Sequence, residues 1–297
     1  MKRTNLKPYL IGLILASFII SCESGEEEGN TIDQDVFDPT SSLNTIFDGK
    51  IFSIPSPLQT AYLIKDLDLT FDQGLLNSEE AVSDYVTEYQ QALNLGIYGT
   101  DLGYSSLYNQ KNISLKYLNA VDKLSAQLGL EAAFDSSFIT RFENNSDDED
   151  SMIVLMSDAF KKSDNFLKNA NRKSTSALIL TGGWIESIYI ACELNGKKES
   201  SDIKRRIAEQ KQSLSSIVDL LKEYNKSNAN DDLIAGMEGL KESFDKIEFN
   251  YEYSAPETDA ENKMTIFHHK LDVEFDDSIM MEIVEKLRVI RDSIIKV

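Results

Sequence analysis

The sequence predicts an all-α fold, an irregular array or bundle of about nine helices. Three observations predict it. From Ser56 onward, apolar residues recur three and four positions apart, with hardly any strand-like alternation before residue 263. Residues that open and close helices stand at the ends of these stripes. No repeat of fixed period runs through the chain, which sets solenoid architectures aside.

The elements follow in order. Ser56 reads as an N-cap with Pro57 at the first helical position, opening a helix over 56–66. Asn77 reads as the next cap, with Glu79 and Glu80 in the first turn, where the helix dipole favours acids. That helix carries Val82, Tyr85, Val86, Tyr89 and Leu93. A third stripe, Ile113, Tyr117, Val121, Leu124 and Leu128, ends at Gly129, and a fourth helix covers about 131–143. Met152, Leu155, Met156, Ala159, Phe160 and Phe166 mark a fifth, entered from the acidic loop 144–150. Residues 177–194 are apolar nearly all round, so the sixth helix is central. Ile203, Ile207, Leu214, Ile217, Leu221 and Tyr224 predict one long seventh helix. Leu233, Met237, Leu240, Phe244 and Ile247 give an eighth, and Ile279, Ile283, Leu287, Ile290 and Ile294 a ninth. Between these two, residues 250–277 read as a long loop holding Pro256, with a short extended piece around 264–275.

Composition narrows the function. With 50 acidic against 30 basic residues and a net charge of −20, the chain cannot neutralise phosphates, which argues against nucleic-acid binding. Two cysteines make neither a disulfide framework nor, by themselves, a four-ligand zinc site. His268 and His269 are adjacent and point to different sides of any regular element, so no metal is expected there. The run Asp147-Asp148-Glu149-Asp150 fails as a calcium loop, because Met152 stands where that loop needs glycine. No nucleophile elbow, P-loop or dinucleotide fingerprint is present, and no cofactor is expected. Cys192 lies in the apolar sixth helix and reads as a small hydrophobe.

The first residues read as an export signal covering 1–21. Lys2, Arg3 and Lys7 form a basic start, and the apolar stretch 10–20 is eleven residues long. At ~1.5 Å per residue it is too short to span ~30 Å of hydrocarbon. Ile19-Ile20-Ser21-Cys22 resembles the lipobox of bacterial lipoproteins, in which a small residue precedes a cysteine that becomes lipidated and N-terminal. Cys22 is therefore the expected lipid attachment point, and the membrane the expected partner. Cleavage there discards three positive charges and takes the net charge to −23. Residues 22–50 then read as a disordered acidic tether, eight acids and no base before Lys50, ahead of a single helical domain over 51–297. The run Glu23-Ser24-Gly25-Glu26-Glu27-Glu28-Gly29 resembles the acidic export signal of Bacteroidetes-type surface lipoproteins, which implies a surface-exposed, outer-membrane-anchored protein.

Two glycine-marked helices hold the one candidate site. Gly96, Gly99 and Gly103 interrupt the second helix, and Gly182 and Gly183 the sixth. Glycine costs a helix interior about 1 kcal/mol against alanine, so its retention points to a chain break or a very close neighbour. Asp101 and Glu186 sit among these glycines, and a buried carboxylate must be paired or protonated. Either the glycines allow a close helix crossing while Asp101 and Glu186 tie helices together, or Asn94, Tyr98, Asp101, Tyr104, Trp184 and Glu186 line a polar pocket. The pocket implies a small-ligand receptor or an enzyme; the lipobox, the tether and the lack of a complete catalytic set point instead to a non-enzymatic binding or accessory module of the cell envelope.

The strings Ser56-Pro57-Leu58, Leu95-Gly96-Ile97-Tyr98-Gly99-Thr100-Asp101-Leu102-Gly103-Tyr104 and Gly182-Gly183-Trp184-Ile185-Glu186 resemble those of a family of Bacteroidetes lipoproteins without assigned activity. The resemblance covers most of the chain after the tether, implies an all-helical exported protein, and supplies no catalytic residues. Imelysin-like proteins carry a Gly-x-His-x-x-Glu signature; here Gly183 is followed by Trp-Ile-Glu, without the histidine. Against the helical SusD-type glycan receptors, the chain is short and poor in aromatics.

Overall fold

A computed structural model describes residues 44–47, 50–53 and 69–296, apart from 133, 146–147, 227, 253, 260–263, 267–269 and 275. The expected signal peptide, most of the tether, the helix at 56–66 and both histidines lie outside the described residues. The fold is an all-α multi-helix array, with nine α-helices among the described residues.

The described chain opens with an antiparallel ladder, β1 (Asn44–Phe47) with β2 (Lys50–Ser53), in register from Asn44 opposite Ser53 to Phe47 opposite Lys50. This ladder crosses the boundary placed at residue 50, so regular structure begins inside the segment expected to be tether. Two 3-10 turns follow, Gln73–Leu75 and Glu79–Ser83. Helix α1 (Glu88–Leu107) begins only at Thr87, whose side chain accepts from the Gln90 amide while Gln90 Oε1 accepts from the Thr87 amide. Asn77 is therefore not a helix cap, and Val86, ahead of the helix, is 74% exposed rather than part of the buried stripe.

α2 (Lys111–Gln127), α3 (Ser136–Asn145), α4 (Glu149–Asn169) and α5 (Lys173–Lys197) follow. Three helix ends share one device. At Asn109, Gly129 and Asn171 the backbone takes a left-handed conformation after α1, α2 and α4, and the next amide bonds back five residues: Gln110 to Ser105, Leu130 to Ser125, Arg172 to Leu167. α3 starts later than its apolar pattern suggests, because Asp135 Oδ1 accepts from the amides of Ser137 and Phe138 and fixes the start there. Asp148 caps α4 in the same way, which gives the acidic loop a structural task. On α4, Leu167 is fully buried while Phe166, expected in the stripe, is 48% exposed.

The predicted seventh helix is two, α6 (Ser201–Glu209) and α7 (Lys211–Glu223), meeting at Gln210. Gln210 is buried, its amide bonds to Ile207 three residues back, and its side-chain oxygen accepts from the Trp184 indole at 3.3 Å. α8 (Asp231–Asp245) and α9 (Asp277–Ile295) close the array. The segment between them is not a loop with one extended piece. β3 (Glu248–Glu252) pairs with β6 (Lys270–Glu274), and β4 (Glu257–Asp259) with β5 (Met264–Ile266), both antiparallel. Phe249 and Val273, directly opposite, face the helical core.

The packing is centred on α1 and α5, which form the most extensive helix contact among the described residues. α2 and α4 pack on α1, α9 lies against α8 and α5, and β2 runs beside α7. α5 is long and apolar enough to cross a membrane by length and composition, but 83% of its apolar window is buried inside the fold, which makes it the core helix.

Candidate functional site

Glycine brings α1 and α5 together. A Cβ at Gly96 would fall inside 3.0 Å of the Ile179 carbonyl oxygen and the Gly183 nitrogen, and one at Gly182 inside 3.0 Å of the Leu93 carbonyl. Backbone therefore meets backbone, and Thr100 on α1 donates across the crossing to the Gly183 carbonyl at 3.1 Å. Gly99 faces the Phe160 ring of α4, which occupies the space a side chain would need.

One turn along this crossing the two carboxylates meet. Asp101 and Glu186 are both fully buried and within hydrogen-bonding reach of one another. Glu186 is held by Arg291 of α9 through two bonds, Nε to Oε2 at 2.5 Å and Nη2 to Oε1 at 2.7 Å. Arg291 also donates to the Leu75 carbonyl at 3.0 Å, and its guanidinium lies over the Tyr189 ring, 4.0 Å from the centroid. Asp101 Oδ2 accepts from the Asn77 amide at 3.1 Å, while Oδ1 has no donor. Burial, and then the charge of Glu186, push the Asp101 carboxyl well above the usual carboxylate range.

Asn77 joins the cluster to its surroundings. Its side chain donates to Tyr85 Oη at 3.1 Å and to Asn94 Oδ1 at 3.3 Å, and its carbonyl accepts from Tyr117 at 2.7 Å. Asn94 in turn donates to the Ile294 carbonyl at 3.3 Å, and Tyr85 to the Ile295 carbonyl at 3.3 Å. These are carbonyls of the last turn of α9, which lack partners within their own helix. Tyr98 donates to the Ser78 carbonyl at 2.7 Å, and burial raises its hydroxyl pKa. Tyr104 Oη accepts from the Asp72 amide at 3.1 Å beneath the Phe71 ring.

Of the six residues expected at a pocket, Asn94, Asp101 and Glu186 belong to this network, and Tyr98 lies beside it. Tyr104 reaches the turn at Asp72, and Trp184 points to Gln210 and Phe244 on the other side of α5. All six are at most 1% exposed, and each is tied to neighbouring elements by the bonds described, so a ligand would have to displace packed helices to touch them. The surface recess lined by Ser106, Gln110, Ser114, Phe142 and Met152 lies at the α1–α2 turn and shares no residue with the cluster. The guanidinium of Arg291 occupies the place where a cation would balance the two carboxylates, and among the described residues no group of three or more His, Cys, Asp or Glu side chains is set to hold a metal.

Sequence reasoning missed Arg291, Asn77, Tyr85 and Tyr117. Arg291 carried a readable signal: with Leu287, Ile290 and Ile294 it falls on the inward face of α9, where an uninterrupted apolar stripe would otherwise continue. Asn77 carried none as a site residue, since a polar residue ahead of two acids reads as a helix cap, and half of its bonds are made by its backbone. Comparison with protein-family models, curated proteins and solved structures finds no match to this chain.

Proposed function

We propose that this protein is an exported lipoprotein, anchored in the outer membrane through acyl chains on Cys22, whose helical domain serves as a non-enzymatic binding or accessory module of the cell envelope. The observation that carries the proposal is the sequence Ile19-Ile20-Ser21-Cys22 behind a basic start and an eleven-residue apolar stretch. More than one acyl chain on a single terminus gives stable anchoring where one is marginal, at ~0.8 kcal/mol per buried methylene. The acidic run after Cys22 supports display on the cell surface. The helical domain is consistent with a role for its outer face: Glu186 is taken up by Arg291, and Asp101 Oδ2 by the Asn77 amide, inside the packed centre. A receptor or enzyme built on those two carboxylates would need them at a surface, and both are fully buried.

The test is expression of the full chain and a Cys22→Ala variant in a Bacteroidetes host fed a labelled fatty acid. The unsubstituted protein takes up label and sediments with the outer membrane; Cys22→Ala does neither. A Cys22→Ala protein that still fractionates with the membrane refutes the anchor. Protease added to intact cells degrades the protein if it faces outward, and exchanging Glu26, Glu27 and Glu28 for glutamine then protects it.

A further inference from the structure

Two carboxyl groups and one guanidinium meet at the buried centre of the fold. Glu186 gives both oxygens to Arg291, so that pair is electrically complete. Asp101 lies against it, with Oδ2 on the Asn77 amide and Oδ1 without a donor. Were Asp101 ionised, a second negative charge would sit in a fully buried site against a single cation, and an uncompensated buried charge is expensive enough that the group neutralises instead. The charged groups facing Asp101 are Glu186 from α5 and Arg291 from α9. The titratable groups around the cluster are Tyr98 on α1 itself, Tyr117 from α2, Tyr85 from the segment ahead of α1 and Tyr189 from α5, and burial keeps all four hydroxyls neutral.

We propose that Asp101 is a protonated carboxylic acid in the native protein at neutral pH, donating through Oδ1 to the Glu186 carboxylate, and that Asp101, Glu186 and Arg291 form a latch holding α9 onto α1 and α5. A proton on Asp101 accounts for the carboxyl oxygens of the latch. Each Glu186 oxygen keeps a second lone pair beyond its bond to Arg291, so one of them accepts the Asp101 proton, and the Oδ1 left without a donor becomes a donor itself. Burial and the neighbouring Glu186 charge favour the neutral acid. The latch also has a direction in pH. An acid whose folded pKa is raised contributes stability that is whole below its unfolded value, about 4, and that is lost as pH climbs toward the folded value. Alkali therefore acts first on α9: removing the proton sets two carboxylates against one guanidinium at the joint between three helices.

The test uses the full-length protein with 13C in the side-chain carboxyls of aspartate and glutamate. One aspartate signal is expected to stay at its protonated position as pH is raised from 5 to 8, and to be missing in Asp101→Asn. Movement of every aspartate signal to the carboxylate position by pH 6, or a persistent signal that belongs to a glutamate, overturns the proposal. Denaturant unfolding supplies a second readout. The unfolding constant of the unsubstituted protein, divided by that of Asp101→Asn, rises by up to about tenfold per pH unit above pH 4; a flat ratio overturns the proposal equally. Should Asp101→Asn not fold, the 13C titration of the unsubstituted chain decides alone.

Discussion

Arg291 and Glu186 are joined by two parallel hydrogen bonds, 2.5 and 2.7 Å long, across 105 residues of sequence. The pair fastens α9 to the core helix α5 where both side chains are out of water. Arg291→Met leaves Glu186 without its partner, and breaking a buried pair in this way costs ~3–5 kcal/mol. The double variant Arg291→Met, Glu186→Met removes both charges and regains much of that loss. Urea midpoints of the two variants and the unsubstituted protein check this, and equal midpoints for single and double variants would show that the pair acts independently of charge.

Glycine positions divide by what surrounds them. Gly182→Ala forces a methyl into the Leu93 backbone, which cannot swing aside as a side chain could. Overpacking of this kind costs roughly 1–3 kcal/mol, and the rigid neighbour puts Gly182→Ala at the upper end. Gly239→Ala, on α8 with open space where its methyl would go, gains up to about 1 kcal/mol. Thermal unfolding should move in opposite directions for the two, and a common direction would contradict the close crossing of α1 and α5.

Asn77→Ala deletes the donor shared by Tyr85 and Asn94 while keeping the backbone bonds to Asp101 and Tyr117. It leaves Asn94 Oδ1 buried without a donor, a loss of ~1–3 kcal/mol. Denaturant titration gives the magnitude, and hydrogen exchange should show the last turn of α9 loosened most.

Glu282 is a surface group with a clear pH signature. It accepts from Lys246, Lys286 and Ser243, and these bonds pull its carboxyl down to about 2. A depressed acid contributes stability above its unfolded value, about 4.3, and loses it as pH falls toward 2, the reverse of Asp101. Glu282→Gln should flatten the acid limb of the stability curve between these pH values, while leaving the alkaline limb unchanged.

Cys192 is buried within α5, and burial pushes its thiol up to about 12. In the native state it should resist a water-soluble thiol reagent at pH 8 and react once the protein is denatured. Rapid native labelling would mean that α5 is not the closed core helix found here.

The apolar stripes made most of this fold legible, because helices bury one face and the spacing of that face is local information. Breaks without glycine or proline were not legible. Asn109 and Asn171 end helices in the same left-handed conformation as Gly129, yet asparagine is common inside polar segments and does not announce a stop. Gln210 splits a helix through a bond to Trp184, which is 26 residues away in sequence. The nested ladders at 248–274 show little alternation, since like charges such as Glu248 and Glu274 stand opposite one another. In the candidate site, Asp101 and Glu186 stood out as carboxylates among apolar neighbours and glycines, but sequence spacing could not reveal that their partners, Arg291 and Asn77, come from opposite ends of the domain.

The carbonyls of Ile294 and Ile295 are satisfied by Asn94 and Tyr85, which stand 200 and 210 residues earlier. During synthesis, α1 emerges with Asn94, Tyr85 and Asp101 already in place and with the groups that complete them still to be translated. Any shorter chain must bury those atoms incomplete or leave the centre of the molecule wet. The centre of the domain is thus completed from both ends of the chain: only with the last turn of α9 in place do Asn94 and Tyr85 meet these acceptors.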